Sequence, residues 1–523
     1  MAEKQTGPSS EKHRAVLIGK TAQAVLWLLI LCAIVKLRED PRLLLPYLRF
    51  TPSQGVSLLS ASGVAEDAAA ETTPEAPPPA GLVNAAALLG VDLHAPDLQG
   101  RVQPIEDPTG LAMRAFYESL LRTNRGQPGA ITRILHYGDS LVVVDFLTGQ
   151  ARRRLQSRFG DAGHGYMMAG KPWRWYQHWD VFYRTSDSWK IGGIMSRETG
   201  GIPYGLNGFY FDGSGPGQYL EMGTANGGPV GERAGRFEVH YLIQPGGGSF
   251  EVSVDGRAHA KVSTVGPAPR SGVYVVKVPD GPHRFRVQCA GDGRVRLFGG
   301  VLERDRPGLV YDTLGINGGR ARRLELIAPS FWAEQLRLRK PNLVIINFGT
   351  NESEDRERPM SQVEADYVSV LQRLRAAAPD ASCLVMSPLD RAARVDGALG
   401  SNPLLIRLIE TQRRAALKAG CAFYSTFQAM GGRGSMARWY RRRPQLCAGD
   451  MTHPTRAGAA VVGDGLYRAM VMGWLNHEAG VLATPLEQAA PTGEVEEPPG
   501  SDNPPPPNEP NPYPPLPERP PAP

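Results

Sequence analysis

The feature that most constrains this chain is an apolar strand that runs straight into a turn carrying a serine. Ile131-Thr-Arg-Ile-Leu-His-Tyr137 passes directly into Gly138-Asp139-Ser140, and a helical pattern with apolar positions at Val143, Phe146, Leu147 and Leu155 follows. Strand, tight turn and helix in this order predict an open α/β sheet. The serine hydroxyl then stands above the carboxyl end of a strand, where such folds place their sites. The helix N-terminus also aims backbone N–H groups at any charge that develops there. Gly-Asp-Ser is nevertheless a common turn, and read alone its serine is equally a helix N-cap.

Two later segments bear on that choice. Pro341-Asn-Leu-Val-Ile-Ile-Asn-Phe348 is a second buried-strand pattern, ending in Gly349-Thr350-Asn351-Glu352. An asparagine there can present its side-chain N–H to the surface that holds Ser140, or satisfy its own turn. Near the C-terminus, Gly449-Asp450-Met-Thr-His453-Pro454 precedes a helix with apolar residues at Val461, Val462, Leu466, Met470 and Trp474, and Pro454 suits its first turn. A spacing of three lets the Asp450 carboxylate fold back on the His453 ring. A serine hydroxyl is nearly inert at neutral pH; it needs an imidazole to take its proton and an acid to hold that imidazole in the right tautomer.

Taken in order, four blocks resemble the SGNH (GDSL-type) hydrolase superfamily: Gly138-Asp139-Ser140-Leu141, Leu314-Gly315-Ile316-Asn317-Gly318-Gly319, Gly349-Thr350-Asn351-Glu352 and Asp450-x-x-His453. The resemblance covers about 115–190 and 308–476. It implies a flavodoxin-like three-layer α/β/α domain with a parallel sheet. It also implies Ser140 as nucleophile, His453 as general base and Asp450 as the group that orients the histidine. The implied oxyanion hole consists of the Ser140 N–H, the Gly318 N–H and the Asn351 side chain, with Gly315 and Gly319 close enough to compete with Gly318. No metal or organic cofactor is implied, and His136 and His164 are read as structural.

Within the superfamily, Tyr137-Gly-Asp-Ser140, Asp145-Phe146-Leu-Thr-Gly149, the run from Arg154 through Phe159 and Gly163 to Gly165, and Gly315-Ile-Asn-Gly318 are similar to bacterial peptidoglycan O-acetylesterases of the Ape type. Those enzymes carry a β-sandwich like a carbohydrate-binding module between the serine and glycine blocks. The implied activity is a serine esterase that removes O-acetyl groups from a cell-envelope polysaccharide, with peptidoglycan as the implied polymer. The same triad serves a polysaccharide O-acetyltransferase, and a non-catalytic envelope glycan-binding scaffold is a third reading.

The chain has room for that insertion, since about 175 residues separate Ser140 from Gly318 and a simple crossover needs only a few dozen. Short alternating runs at Phe237-Val239-Tyr241-Ile243, Phe250-Val252-Val254, Val273-Val275, Phe285-Val287 and Val295-Leu297, with turns such as Asp255-Gly256 and Asp280-Gly281, predict an all-β sandwich over 191–305. Sugar binding and plain packing beside the site are both open to it. The aromatic segment Trp173-Arg-Trp-Tyr-Gln-His-Trp179 is read as structural, at a domain junction.

The remaining segments give the address. Ala15–Val35 is apolar except for Lys20, Thr21 and Gln23, and at 1.5 Å per residue it just spans a bilayer core of about 30 Å. Lys36-Leu-Arg-Glu-Asp40 follows where a signal peptide would place small residues, so an uncleaved anchor is expected. The expected plan is a cytoplasmic segment at 1–14, a transmembrane helix at 15–36 and a Pro/Ala-rich linker at 37–105. Hydrolase parts then lie at 106–190 and 306–478 around the inserted 191–305, and a Pro-rich tail occupies 479–523. Flanking charge is nearly balanced, so the periplasmic orientation of the catalytic domain, on the outer side of a bacterial inner membrane, follows from the implied activity. The tail 491–523 has six carboxylates against Arg519, net −5, which leaves +11 of the overall +6 on the rest of the chain. No nucleic-acid motif or lysine stripe accompanies that basic body, and no nucleic-acid partner is expected. The five cysteines lack zinc spacing, and one disulfide among Cys383, Cys421 and Cys447 is compatible with export.

Overall fold

The computed structural model describes residues 102–196, 201–395, 397–478 and 480. The chain divides into two units, 1–76 and 77–523, and every described residue belongs to the second. The expected transmembrane helix at 15–36, the linker up to residue 101 and the tail apart from Gly480 lie outside the described residues. Among the described residues no helix is long and apolar enough to cross a membrane.

Helix α1 (Arg114–Asn124) leads into β1 (Ile131–Gly138), then α2 (Ser140–Val143) and α3 (Phe146–Phe159). The following segment is almost wholly β: β2 (Gly165–Met168), β3 (Val181–Thr185), β4 (Lys190–Gly193), β5 (Phe209–Gly213), β6 (Tyr219–Thr224), β7 (Ala234–Ile243), β8 (Ser249–Val254), β9 (Arg257–Ser263), β10 (Arg270–Gly281), β11 (Arg284–Cys289) and β12 (Val295–Glu303). The α/β pattern then resumes with β13 (Gly308–Gly315), α4 (Pro329–Arg339), β14 (Leu343–Asn347), α5 (Met360–Ala377) and β15 (Ser382–Met386). A small hairpin, β16 (Ala392–Val395) and β17 (Ala398–Ser401), precedes α6 (Pro403–Lys418), β18 (Ala422–Tyr424), α7 (Thr426–Ala429), α8 (Ser435–Arg441) and α9 (Arg456–Glu478).

Five strands form an all-parallel sheet in the order β13-β1-β14-β15-β18. Counted along the chain this is 2-1-3-4-5, the flavodoxin-like order. Alternate residues go to opposite faces: Ile134, Leu343 and Ile345 join one apolar cluster with Phe116, Leu155 and Leu466, while Leu135, Val344 and Ile346 join another with Leu336, Leu371 and Leu408. Both sets are apolar because helices cover both faces: α1, α3 and α9 on one, α4, α5 and α6 on the other. A disulfide joins Cys383 on β15 to Cys421 just ahead of β18, and Cys289 and Cys447 are buried free thiols.

Between β1 and β13 lie two antiparallel sheets, β10-β7-β12-β5-β4 with β2 paired to β12, and β3-β6-β11-β8-β9. Phe237 of the first stacks on Phe285 of the second at 4.7 Å, within a cluster that includes Val239, Val252, Val287 and Leu297. Antiparallel pairing begins with Gly165–Met168, ahead of residue 191, because that strand follows β1 and α3 but pairs with β12.

Two local expectations change. The helix after Ser140 is two helices, broken where Asp145 takes a left-handed conformation (φ 55°). Pro454 stands ahead of α9, which begins at Arg456; Thr455 Oγ1 accepts the Gly458 N–H and so fills the capping position instead.

Candidate active site

The register of the parallel sheet brings three blocks level. Gly138 pairs with Gly315 on one side and Asn347 on the other, so β1, β13 and β14 end together at the point where strand order reverses. Each strand then feeds one turn into the same crevice, where this kind of sheet takes its ligands. The turn after β1 is tight: Asp139 Oδ1 caps α2 by accepting the Leu141 N–H at 3.1 Å, and Ser140 is the first residue of that helix. Gly315 permits the close approach, since a Cβ there would meet the Val143 backbone nitrogen at 2.4 Å.

The third component is the turn before α9. Asp450 Oδ1 accepts the backbone N–H groups of Thr452 and His453 at 3.0 and 2.9 Å, while its Oδ2 lies 2.6 Å from His453 Nδ1. Met451 between them has φ 50°, the conformation that folds the carboxylate back on the ring. The Ala448 N–H donates to the His453 carbonyl at 2.8 Å and ties the turn to the preceding segment. His453 Nε2 reaches Ser140 Oγ at 2.8 Å, and Ser140 is only 7% exposed. Burial would raise the Asp450 carboxyl, but its hydrogen bonds and the His453 charge outweigh this and hold it below the usual carboxylate range.

The glycine block is more specific than its sequence. Gly319 donates its N–H to Ile316 O at 2.9 Å, and Gly315 sits in the strand, whereas the Gly318 N–H has no hydrogen bond among the described residues and its φ is 69°. Asn351 donates from Nδ2 to Gly319 O at 2.9 Å, which fastens the asparagine turn to the glycine turn. The structure therefore joins Ser140, His453 and Asp450 by hydrogen bonds and links Asn351 to the glycine block beside Gly318.

Three residues that the sequence left unremarked also belong here. The Met195 methyl lies 3.8 Å from where a Cβ on Gly318 would stand, so the segment after β4 reaches the glycine turn. Asp139 and Glu352, flanking Ser140 and Asn351 in sequence, are both buried carboxyls. Only their chain positions could have pointed to them, because burial is a tertiary property. Trp179 packs between Phe146 at 5.7 Å and the Arg456 guanidinium at 3.7 Å, and its backbone N–H donates to Asp145 at 2.9 Å, a structural role for the aromatic segment.

His136 is buried against the Tyr311 hydroxyl at 2.8 Å, and burial pushes its pKa down to about 3, so it is neutral. Among the described residues one cluster has metal-type composition: Asp145, His164 and His178, with donor atoms within 4.8 Å of one another. It does not fit a cation. The Asp145 oxygens already accept from Thr148, both ends of the buried Arg152 guanidinium, the Trp179 N–H and Thr313, and that guanidinium occupies the place of a positive ion. Burial, with the Arg152 charge, lowers both imidazoles, His178 to about 4.

Comparison with known proteins bears on the fold and on part of the sequence. Residues 280–461 match the model of the GDSL-like lipase/acylhydrolase family. The structure overlays that of a peptidoglycan O-acetylesterase with a TM-score of 0.56 at 22% identity, over 69% of this chain and 96% of the other. A family two carbohydrate esterase from Clostridium thermocellum (13% identity, 58% of this chain and 99% of that one, TM-score 0.23) and the salicylyl-acyltransferase of a tetracycline biosynthetic pathway (14%, 61% and 98%, 0.27) overlay too loosely to bear on this chain. No curated protein matches the sequence. Residues 280–461 are thus similar to a family of carboxylic ester hydrolases, and they lie on an α/β domain whose fold is shared with the peptidoglycan O-acetylesterase. The family match holds the glycine block, Asn351, Asp450 and His453 but begins well after Ser140, at the end of β10 within the antiparallel segment.

Proposed function

We propose that this protein is a serine esterase that removes O-acetyl groups from a cell-envelope polysaccharide, with peptidoglycan as the substrate. The observation that carries the reading is the unbroken line from Asp450 Oδ2 through the His453 ring to Ser140 Oγ, at 2.6 and 2.8 Å, at the switch point of the sheet. Ser140 Oγ attacks the acetyl carbonyl as its proton passes to His453 Nε2, and Asp450 steadies the resulting imidazolium through Nδ1. The Ser140 and Gly318 N–H groups and the Asn351 side chain receive the oxyanion, the charge whose stabilisation matters most for the rate. Collapse breaks the ester bond, and the sugar oxygen leaves with the proton from His453. Water then enters, gives a proton to His453 as it attacks the acyl-enzyme, and releases acetate.

The polymer comes from the Ape-type resemblance of the Tyr137–Gly165 stretches and from the peptidoglycan O-acetylesterase that shares the fold. The antiparallel sheets between β1 and β13 are the counterpart of the carbohydrate-binding-module-like sandwich in that resemblance, and Met195 brings them to the rim of the site. The apolar segment 15–36 would anchor the chain, with 1–14 in the cytoplasm and the hydrolase domain on the periplasmic side of a bacterial inner membrane. The Cys383–Cys421 disulfide supports an oxidising compartment.

The test is acetate release from O-acetylated peptidoglycan, acetylated xylan and acetylated capsule by the full chain, with Ser140→Ala as control. Release from peptidoglycan that vanishes in the variant supports the assignment. Release from another glycan alone would remove peptidoglycan and leave the mechanism standing.

A further inference from the structure

Ser140 and His453 come from segments 313 positions apart, and close to the site the packing that joins those segments is apolar: Leu141 and Leu147 share a cluster with Leu446, Cys447 and Val462. Such packing is non-directional and does not by itself fix one distance. The polar contacts between α3 and α9, from Gln150 and Arg154 to Asp464, lie well down α9 from the histidine turn. A proton passing from Ser140 Oγ to His453 Nε2 needs a set separation, so a directed contact nearer the turn matters.

Trp179, between β2 and β3, supplies one. Its backbone is gripped from the nucleophile side: the N–H donates to Asp145 Oδ2 at 2.9 Å, and the carbonyl accepts from the Arg152 guanidinium at 2.8 Å. Asp145 is the left-handed residue between α2 and α3, and the Thr313 hydroxyl of β13 donates to it at 3.0 Å. The indole N–H donates to the carbonyl of Val144, one residue past α2, at 3.3 Å. On the histidine side, the Arg456 guanidinium lies 3.7 Å from the ring centroid, inside the ~6 Å reach of a cation–π contact. Arg456 is the first residue of α9, three beyond His453. Among the described residues that guanidinium has no carboxylate partner, and the indole face is what holds it. Phe146 at 5.7 Å and Arg153, itself paired with Asp180 at 2.7 Å, meet the ring from α3. The indole is therefore braced between protein groups rather than offered to a sugar ring.

We propose that Trp179 is a positioning residue: tied by its backbone to the nucleophile segment, it holds the start of α9 through Arg456 and so sets the separation of His453 Nε2 from Ser140 Oγ. The aromatic segment thus reaches the chemistry through the two residues that would exchange the proton, without touching the substrate. The catalytic consequence rests on the esterase reading; the bracing of His453 does not.

Because Asp145 and Arg152 hold the Trp179 backbone, the ring can be removed with that junction kept. The test uses the full chain with 4-nitrophenyl acetate. Trp179→Ala is expected to lose kcat by ~10–100-fold with KM little changed, the cost of a small misplacement of reacting groups. Arg456→Gln, which keeps the indole and removes the cation, should lose part of that, and Arg456→Lys, which restores a cation, should recover most of it. If the ring acts through the serine–histidine pair, adding Trp179→Ala to His453→Ala costs nothing further, whereas a general structural fault adds its own loss there. A proton NMR readout needs no turnover: the downfield resonance of the His453 Nδ1–H bonded to Asp450, absent in His453→Ala, should shift or broaden in Trp179→Ala and persist in Arg456→Lys. Additive losses in the double variant, a raised KM with unchanged kcat, or an unshifted resonance in folded Trp179→Ala overturns the proposal. Should Trp179→Ala not fold, the exposed Arg456→Gln carries the same comparison with His453→Ala. A wild type that hydrolyses no acetyl ester overturns the esterase reading alone, since the resonance still decides the bracing.

Discussion

Ser140, His453 and Asp450 differ in how much each rests on its neighbours. Ser140→Ala removes the atom that would be acylated, and kcat should fall by ~10⁴-fold or more with the fold intact, measured on 4-nitrophenyl acetate beside a thermal melt. Asn351→Ala should cost ~10²–10³-fold in kcat with KM changed little, since its effect is confined to the charged oxygen. Asp450 also bears on stability. Its folded carboxyl lies below the ordinary range, so its contribution is present above the unfolded pKa and lost as pH falls through the lower folded value. The melting temperatures of wild type and Asp450→Asn should therefore differ near neutrality and converge in acid; a constant gap would contradict the assignment. At this scale the serine, the histidine and its acid were legible because each sits in a short local pattern. Gly318 was not separable from Gly319 until the Gly319 N–H was found committed to Ile316, a bond no spacing reveals. Glu352 was invisible, because its burial is a property of the folded chain and not of the sequence around it.

Elements matter through how closely they approach. The short helix that begins with Ser140 lies over the end of β13, and Gly315 leaves no room for a side chain beneath Val143. Gly315→Ala should destabilise the domain by ~1–3 kcal/mol, the usual range for overpacking, and lower kcat more than it raises KM. Denaturant melts and steady-state kinetics would check both. The disulfide ties β15 to the start of β18 across 38 residues, and the chain-entropy model gives such a loop about 4 kcal/mol. Cys383→Ser should lower the melting temperature while leaving KM unchanged. The strands were readable as unbroken apolar runs ahead of β-turn residues. The break at Asp145 was not, because that left-handed residue is fixed by Arg152, Trp179 and Thr313 from three separate parts of the chain.

For the molecule as a whole, the governing feature is that the two antiparallel sheets fall between the nucleophile strand and the glycine strand. This separates Ser140 from its partners in sequence while the 2-1-3-4-5 order reunites them in space, and it accounts for a family match that starts only at residue 280. It also gives the antiparallel unit a route to the chemistry through Met195. If that methyl limits the acyl group, Met195→Ala should raise kcat/KM for butyryl relative to acetyl esters by ~10-fold, about the value of one or two methylenes in an apolar pocket. The order of blocks and the presence of an all-β stretch were legible from alternation and length. The earlier start of antiparallel pairing was not, because β2 reads like a continuation of the first α/β unit and its partner β12 lies some 130 residues on. The most direct test of the central claim is covalent: a fluorophosphonate applied to the folded full-length chain, followed by peptide mapping. The account predicts a single adduct on Ser140 that is absent in Ser140→Ala and much slower to form in His453→Ala; an unlabelled wild type, or an adduct on another residue, would contradict it.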